Sequence, residues 1–410
     1  MLTNSKAPAA LETSKKNSTM NAYIVAGYRT AVGKAPKGTL RFTRPDELGA
    51  EVIKYMLAQL PSLDPHLVDD VIVGNAVPEA EQGMQIGRYV ALLSLPKEVS
   101  GFTINRYCGS GVEAIALAAA KISSGMADCI IAGGVESMSL VPTMGYKTAL
   151  NFDIAQKTPD YYIGMGLTAE QVAKKYQISR EDQDAFAYLS HQKAIAAQQA
   201  GLFDSQIVPI TVKETFFDAV SGKKKNKETI FAKDEGPRAD TSVEALAKLK
   251  PVFAAGGSVT AGNSSQTSDG AAFVVVMSEK MVKELNLEPI ARMMSFSTAG
   301  CEPSLMGIGP VYAIPKALKQ AGLTLNQLDQ IELNEAFAAQ ALAVVRTLEI
   351  DPDKLNPNGG AIALGHALGS TGARLSVQLF NEMRRRNQKY GMVTACVGGG
   401  QGVAGIYELL

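Results

Sequence analysis

Cys108 stands in "NRYCGSG", directly ahead of a run of Ala, Ile and Leu at helical spacing. A thiol at a helix start meets free backbone N–H groups and the positive end of the helix dipole. Both favour thiolate over thiol, so the position predicts a depressed pKa and a nucleophile. The glycines beside it leave room for a substrate carbonyl, and the Cys108 N–H can help to hold the oxyanion that forms. His366, in "ALGHALGSTG", also precedes a helical run. An imidazole reaching the sulfur would take its proton. Cys396 ends an apolar strand and is followed, after Val397, by three glycines whose N–H groups stay open. Two thiols and one imidazole suit one covalent step and one acid–base step at a carbon acidified by a thioester.

Cys108 and His366 are far apart in sequence, so the fold has to bring them together. The pattern of elements supplies a way, because the chain is written twice. Strands and helices alternate from residue 21 to about 134, and again from about 288 to the end. "VDDVIVGNA" from Val68 is echoed by "LDQIELNEA" from Leu328. The second half reads as strand "PIARMMSFS", helix "VYAIPKALKQAG", strand "QIELN", helix "EAFAAQALAVVRTL", strand "GAIALGH", helix "STGARLSVQLFNEMRRR" and two closing strands. Alternation of this kind predicts an α/β fold with largely parallel sheets. Cys108 and His366 each precede the third helix of their half. Duplicated halves packing about a pseudo-twofold axis would let those two helix starts meet.

In the first half, the segment 138–268 separates "AGGVES" from "DGAAFVVVMS" and reads as an insertion. Insertions of this length on an α/β body are usually functional. The expected organisation is a disordered tail (1–20), a first half (21–137 plus 269–287), an inserted domain (138–268) and a second half (288–410). Lys+Arg and Asp+Glu are both 40, which gives no electrostatic case for nucleic acid. No apolar run is long enough for a membrane span. The four cysteines and three histidines have no metal-ligand spacing, so no metal site is expected. The first 20 residues lack the apolar core of a secretory signal, and a cytoplasmic setting with reduced thiols is expected. Cys129 reads as core, Cys301 as a thiol near the site entrance, and His66 and His191 as surface residues. Lys223, Lys224, Lys225 and Lys227 read as a solvated hairpin turn.

"NRYCGSG", "NEAFAAQ", "GGAIALGHALGSTGAR" and "CVGGGQG", in this order, resemble the thiolase family, from about residue 21 to the C-terminus. Within it, the chain looks like the 3-ketoacyl-CoA thiolases and acetyl-CoA acetyltransferases. The resemblance implies a duplicated five-layer α/β/α/β/α fold with an inserted loop domain covering coenzyme A. It implies that Cys108 is acylated, that His366 activates it and helps to bind a thioester oxygen, and that Cys396 moves the proton of the α-carbon. Asn334 would hold the water of one oxyanion hole; the N–H groups of Cys108 and Gly398 would form the other. For coenzyme A it implies Ser265 of "VTAGNSS", with Phe253, Phe337 and Met165 at the pocket and Arg238 beside the adenine. Acyl-CoA and CoA are the implied substrates, with no further cofactor, and the implied assembly is a homodimer or homotetramer. The expected reaction is thiolytic cleavage of 3-ketoacyl-CoA in β-oxidation, with a short-chain acetoacetyl-CoA thiolase as the alternative.

The chain departs from the family pattern at Ala367, where proline usually follows the histidine. It departs again at Ser264-Ser265-Gln266, and at Ala245, where a serine often stands near the adenine. Two rival functions are weaker. A decarboxylating ketosynthase would need histidine at Asn334 and would not need Cys396. A non-catalytic acyl-CoA or lipid carrier would have no use for the complete set.

Overall fold

The β-branched runs "DVIVG" and "AAFVVVM", bounded by Gly, Asn and Ser, form strands that are buried on both faces. The structure is a computed structural model describing residues 21–218 and 221–410; the tail expected over 1–20 lies outside the described residues. The strands are β1 (Ala22–Thr30), β2 (Gly33–Lys34), β3 (Asp70–Gly74), β4 (Ser100–Ile104), β5 (Cys129–Ser137), β6 (Ile207–Val208), β7 (Ile210–Phe217), β8 (Lys224–Phe231), β9 (Ser268–Ser278), β10 (Ala291–Gly300), β11 (Gln330–Leu333), β12 (Tyr390–Val397) and β13 (Gln401–Leu409). The main sheet runs β11-β12-β13-β10-β1-β9-β5-β3-β4. Its two halves join through β1 and β10, which share only the pairs Tyr23↔Arg292 and Ile24↔Ala291.

Three apolar layers separate the elements. One lies under helices Pro45–Ala58 and Ile86–Ser94, and one under helix Gly309–Ala321. Between the half-sheets lies a third, built on helices Ser110–Ser123 and Leu368–Arg386. The order is therefore helix, sheet, helix, sheet, helix. The two central helices touch through glycine: a Cβ on Gly111 would lie 2.6 Å from Ala373 N, and one on Gly372 would strike Val112 N. Side chains there would push the helix starts apart.

The duplication survives in the hydrogen bonds. Asp69 Oδ2 accepts from Asp128 N (2.7 Å) and Cys129 N (3.0 Å), fastening the start of β5. Asp329 Oδ2 accepts from Lys389 N (2.9 Å) and Tyr390 N (2.8 Å), fastening the start of β12 in the same way.

Residue 137 at the end of β5 pairs with Asp269 in β9, so the inserted segment leaves and returns at one place. It holds helices Met165–Lys175 and Arg180–Gln199 and the β7–β8 hairpin. Lys223, Lys224, Lys225 and Lys227 are exposed as expected, but Lys224, Lys225 and Lys227 lie in β8 and not in the turn.

Two readings need correction. "GAIALGH" is not a strand. Ala361–Leu364 form one helical turn between Gly359 and Gly365, both at positive φ (77° and 99°). The apolar run resembles a strand, but Glu335 accepts from Ile362 N (3.3 Å) and caps the turn from outside the local sequence. His191 is not a surface residue. It is buried on the inner face of its helix, and its Nδ1 accepts from Arg238 N (3.2 Å).

Candidate active site

Cys108 is delivered by a sharp strand-to-helix passage. β4 ends at Ile104, and Tyr107 adopts φ +42°, a left-handed conformation that is unusual for a bulky residue. Local hydrogen bonds hold it there: Tyr107 N donates to Asn105 Oδ1 (2.8 Å), and Ser110 Oγ donates to Tyr107 O (2.7 Å). Cys108 follows in a 3₁₀ turn that runs into helix Ser110–Ser123.

His366 arrives from the other half. Its backbone N–H donates to Gln266 O (2.9 Å) and Ser268 Oγ (3.1 Å), which fastens it to the loop containing Ser265. Nε2 lies 3.1 Å from Cys108 Sγ. Nδ1 lies 2.8 Å from Thr371 Oγ1, whose hydroxyl donates to Ala367 O (3.1 Å). That hydroxyl must then accept from Nδ1–H, which leaves the Nε2 lone pair facing the thiol. Asn334 Nδ2 is 3.3 Å from the same nitrogen. Ala367 keeps the turn without proline, because its carbonyl accepts from Ser370 N and Thr371 N at 3.0 and 3.1 Å. Thr371 was missed in the sequence, where its only signal is its place one turn after His366.

The electrostatics reverse one expectation. The N–H groups of Gly398 and of Cys108 itself draw the thiol pKa down, as a helix start should. Burial outweighs them and pushes it up to about 12, and the charge of Glu136 adds to the rise. Burial holds His366 down to about 3, with the Arg374 charge acting in the same direction. Both shifts favour a neutral thiol beside a neutral imidazole over a preformed thiolate. Cys396 is fully buried among Ala169, Val259, Met306, Ala336 and Phe337, and burial raises its thiol well above the ordinary value. Cys108 is the next cause of that rise, which places the two sulfurs within electrostatic reach of each other.

Four of the expected coenzyme A positions, Phe253, Phe337, Met165 and Ser265, gather beside this centre. Phe253 and Phe337 meet edge to face, with centroids 6.0 Å apart at 84°. Met165 Sδ stands 3.7 Å from where a Gly398 Cβ would project, and Tyr107 borders the same glycine. Ser265 N donates to Ala336 O (2.9 Å), and Ser264 bridges to Phe337, so "NSS" lies along the segment after Asn334. Helix formation begins only at Ala338, which leaves Asn334–Phe337 extended along the site. Arg238 is exposed on the inserted segment, and Ala245 lies in a short exposed helix. Cys301 is half-buried, with burial raising its thiol to about 11, and Cys129 is core. A recess of about 640 Å³ between β1 and the end of helix Leu368–Arg386 shares no residue with this cluster.

Comparisons with known proteins agree with this geometry. Residues 22–280 match the thiolase N-terminal domain, and residues 287–409 the thiolase C-terminal domain. A 3-ketoacyl-CoA thiolase of Bacillus subtilis is 52% identical over 389 residues, covering 95% of this chain and 99% of that one. An acetyl-CoA acetyltransferase of Pseudomonas aeruginosa is 48% identical over 396 residues, covering 93% and 97%. The crystal structure of the Bacillus anthracis acetyl-CoA acetyltransferase superposes with TM-score 0.86 at 41% identity, covering 96% of this chain and all of that one. Two half-sheets, two meeting helix starts and a thiol facing an imidazole thus belong to a known pattern: the chain is a member of the thiolase family, and an acyltransferase.

Proposed function

We propose that the enzyme cleaves 3-ketoacyl-CoA with CoA through an acyl thioester on Cys108. The 3.1 Å approach of Cys108 Sγ to His366 Nε2 carries the reading. As the 3-carbonyl enters, the thiol proton passes to Nε2 and the sulfur attacks the carbonyl carbon. The N–H groups of Cys108 and Gly398, which already face the sulfur, are placed to hold the developing oxyanion. Collapse breaks the C2–C3 bond and leaves the shortened acyl group on sulfur. The electron pair goes to the acetyl-CoA enolate, whose oxygen is held by His366 and the water on Asn334, and Cys396 protonates its carbon and is left as a thiolate. The CoA thiol then gives its proton to the Cys396 thiolate and takes the acyl group, and Cys108 leaves as a thiolate that recovers its proton from His366. Among the described residues Asn334 Oδ1 is buried without a hydrogen-bond partner, which suits a group reserved for a ligand or its water. All of these are acid–base and acyl-transfer steps, so no metal or redox cofactor is required.

The inferred chain length of the substrate rests on Gly164. The family's short-chain enzymes commonly carry histidine there, whereas a Cβ on Gly164 would meet no atom within 4 Å. Gly164 is exposed, and the side chain it lacks leaves a way open for acyl tails of six carbons or more, as in β-oxidation; each methylene that becomes buried adds ~0.8 kcal/mol or about fourfold. A homodimer or homotetramer suits β4, an edge strand beside exposed Met84, Tyr89, Leu92 and Leu93. A cytoplasmic setting would keep its thiols reduced. Mixing with an acyl-CoA should add the acyl mass to the Cys108 peptide; labelling of another cysteine instead would overturn the assignment. Cys396→Ser should slow α-proton exchange far more than acyl transfer. If acetoacetyl-CoA alone turns over and a medium-chain 3-ketoacyl-CoA does not, the short-chain reading replaces this one.

A further inference from the structure

Glu136 ends β5 in "GGVES" and is 1% exposed. Its oxygens meet only donors. Oε2 accepts from Ala76 N (2.8 Å) and Gly369 N (2.8 Å); Oε1 accepts from Gln82 Nε2 (2.8 Å) and Asn75 Nδ2 (3.2 Å). Four N–H donors fit a carboxylate, which is acceptor-only when ionised. Burial raises its pKa above the ordinary carboxylate value, and these donors oppose the rise.

The donors belong to the two halves that meet at the site. Ala76 follows β3 in the Cys108 half, and its carbonyl accepts from Asn105 Nδ2 (2.9 Å), three residues before the nucleophile. Gly369 lies in the first turn of the helix that follows His366. Ala76 and Leu368 also pack in one apolar cluster with Cys108. The approach needs glycine: a Cβ on Gly369 would lie 2.8 Å from Glu136 Oε2 and 2.7 Å from Asn75 Cα. One buried carboxylate thus ties together the backbones behind both reacting side chains.

We propose that Glu136 is a positioning residue for acyl transfer: its carboxylate clamps the Cys108 half to the His366 half and so sets the Sγ–Nε2 separation. The proposal rests on Cys108 and His366 being the reacting pair. Glu136→Gln keeps the shape but turns an amide donor toward donors. Misplacement of reacting groups by about 1 Å costs up to about 10²-fold, so Cys108 acylation by acyl-CoA, followed by intact mass, should slow by about 10- to 100-fold. KM for acyl-CoA should stay within about threefold, since the substrate's binding contacts are elsewhere. The decisive readout is a cycle with His366→Asn. Where the imidazole is already gone, Glu136→Gln should cost less than about threefold more. An equal loss in both backgrounds would mean that Glu136 only supports the fold, and would overturn the clamp. Asp69→Asn, which weakens a backbone-holding carboxylate at the far end of the same strands, should leave acylation unchanged; slowing it as much as Glu136→Gln would also overturn the proposal. If Glu136→Gln does not fold, Glu136→Asp, one methylene shorter with the charge kept, takes its place in the cycle with the same expected outcomes. Acylation at the wild-type rate in His366→Asn would overturn the reacting pair, and the clamp with it.

Discussion

The two halves share a skeleton and differ where the chemistry is delivered. Asp69 and Asp329 fasten the starts of β5 and β12 identically. Ahead of the third helix the halves part. The first builds β4, and a left-handed Tyr107 then turns Cys108 into the helix start. The second builds no strand there, only the turn Ala361–Leu364 before His366. That turn is held from outside. Ser190 Oγ, on the inserted segment, donates to Glu335 Oε2 (2.7 Å) and accepts from Gly360 N (3.1 Å), and Asn356 Nδ2 donates to Glu335 Oε1 (2.8 Å). The nucleophile is thus set by its own half, while the base is set partly by the insertion. Duplication supplied two equivalent helix starts, and divergence just before them made one carry a nucleophile and the other a base.

The largest effect that tests this division is loss of the nucleophile. Cys108→Ala should lower turnover by more than about 10⁴-fold, since no other group can hold the acyl chain. His366→Asn should cost about 10²- to 10⁴-fold, the usual range for a general base. Steady-state and single-turnover rates on the two variants check the order. A larger loss from His366→Asn than from Cys108→Ala would break the assignment of roles.

The halves should also separate on a pH axis. His366 is held down to about 3 from its ordinary 6.5, so the unfolded chain binds its proton first. Its contribution to stability is fully present above about 6.5 and is lost as pH falls toward 3. Cys108 is raised from 9.0 to about 12, so its contribution is present below about 9 and is lost as pH rises toward 12. Denaturant unfolding across pH should show the acid limb flattened by His366→Asn and the alkaline limb flattened by Cys108→Ser. His191, down to about 4, carries a further part of the acid limb, and Cys129, up to about 12, part of the alkaline one. Alkylation of Cys108 in the resting enzyme should accelerate well above pH 9. A midpoint below 8.5 would restore the preformed thiolate that the helix start alone predicts.

That reversal shows what the sequence could carry. Cys108, His366, Cys396 and Asn334 were legible because their motifs are local, and the echo of "VDDVIVGNA" in "LDQIELNEA" revealed the duplication. The helix-start argument for a low thiol pKa was sound as far as it went, since the N–H groups of Gly398 and Cys108 do draw it down. Burial outweighs them, and the residues Cys108 packs among, such as Ala76 and Leu368, are not written near residue 108. "GAIALGH" failed for the same reason: its cap, Glu335, and the serine behind it, Ser190, come from elsewhere in the chain. Glu136 carried no local signal, because its partners Ala76 and Gly369 belong to different halves.

Removing the insertion's hold on the base should be felt less than removing the base. Ser190→Ala deletes one hydrogen bond to Glu335 and one from Gly360 N, in a residue that is buried and remote from substrate. Each such bond contributes about 1 kcal/mol. If part of that loss appears as freedom of the His366 turn, kcat should fall by about fivefold with KM little changed. An unchanged kcat with lowered stability would mean that the half places its base without help, and the contrast between the halves would narrow to β4 alone.

The smallest effect concerns what the halves still share. Asp69→Ala and Asp329→Ala each remove an acceptor for two backbone N–H groups at a strand start. Asp69 is exposed and Asp329 half-buried, so water can replace much of what is lost. Each substitution should therefore cost about 1 kcal/mol, at the low end for buried acceptors. Both sites lie at the strand ends away from Cys108 and His366, so kcat should be untouched. Matched losses within about 0.5 kcal/mol, read from denaturant midpoints at constant slope, would show that the skeleton is equivalent in energy as well as geometry. A clearly larger loss at Asp329 would mean that the second half, which lacks a counterpart of β4, depends more heavily on this fastening. The loss of that strand would then carry a cost in stability as well as a change in how the base is delivered.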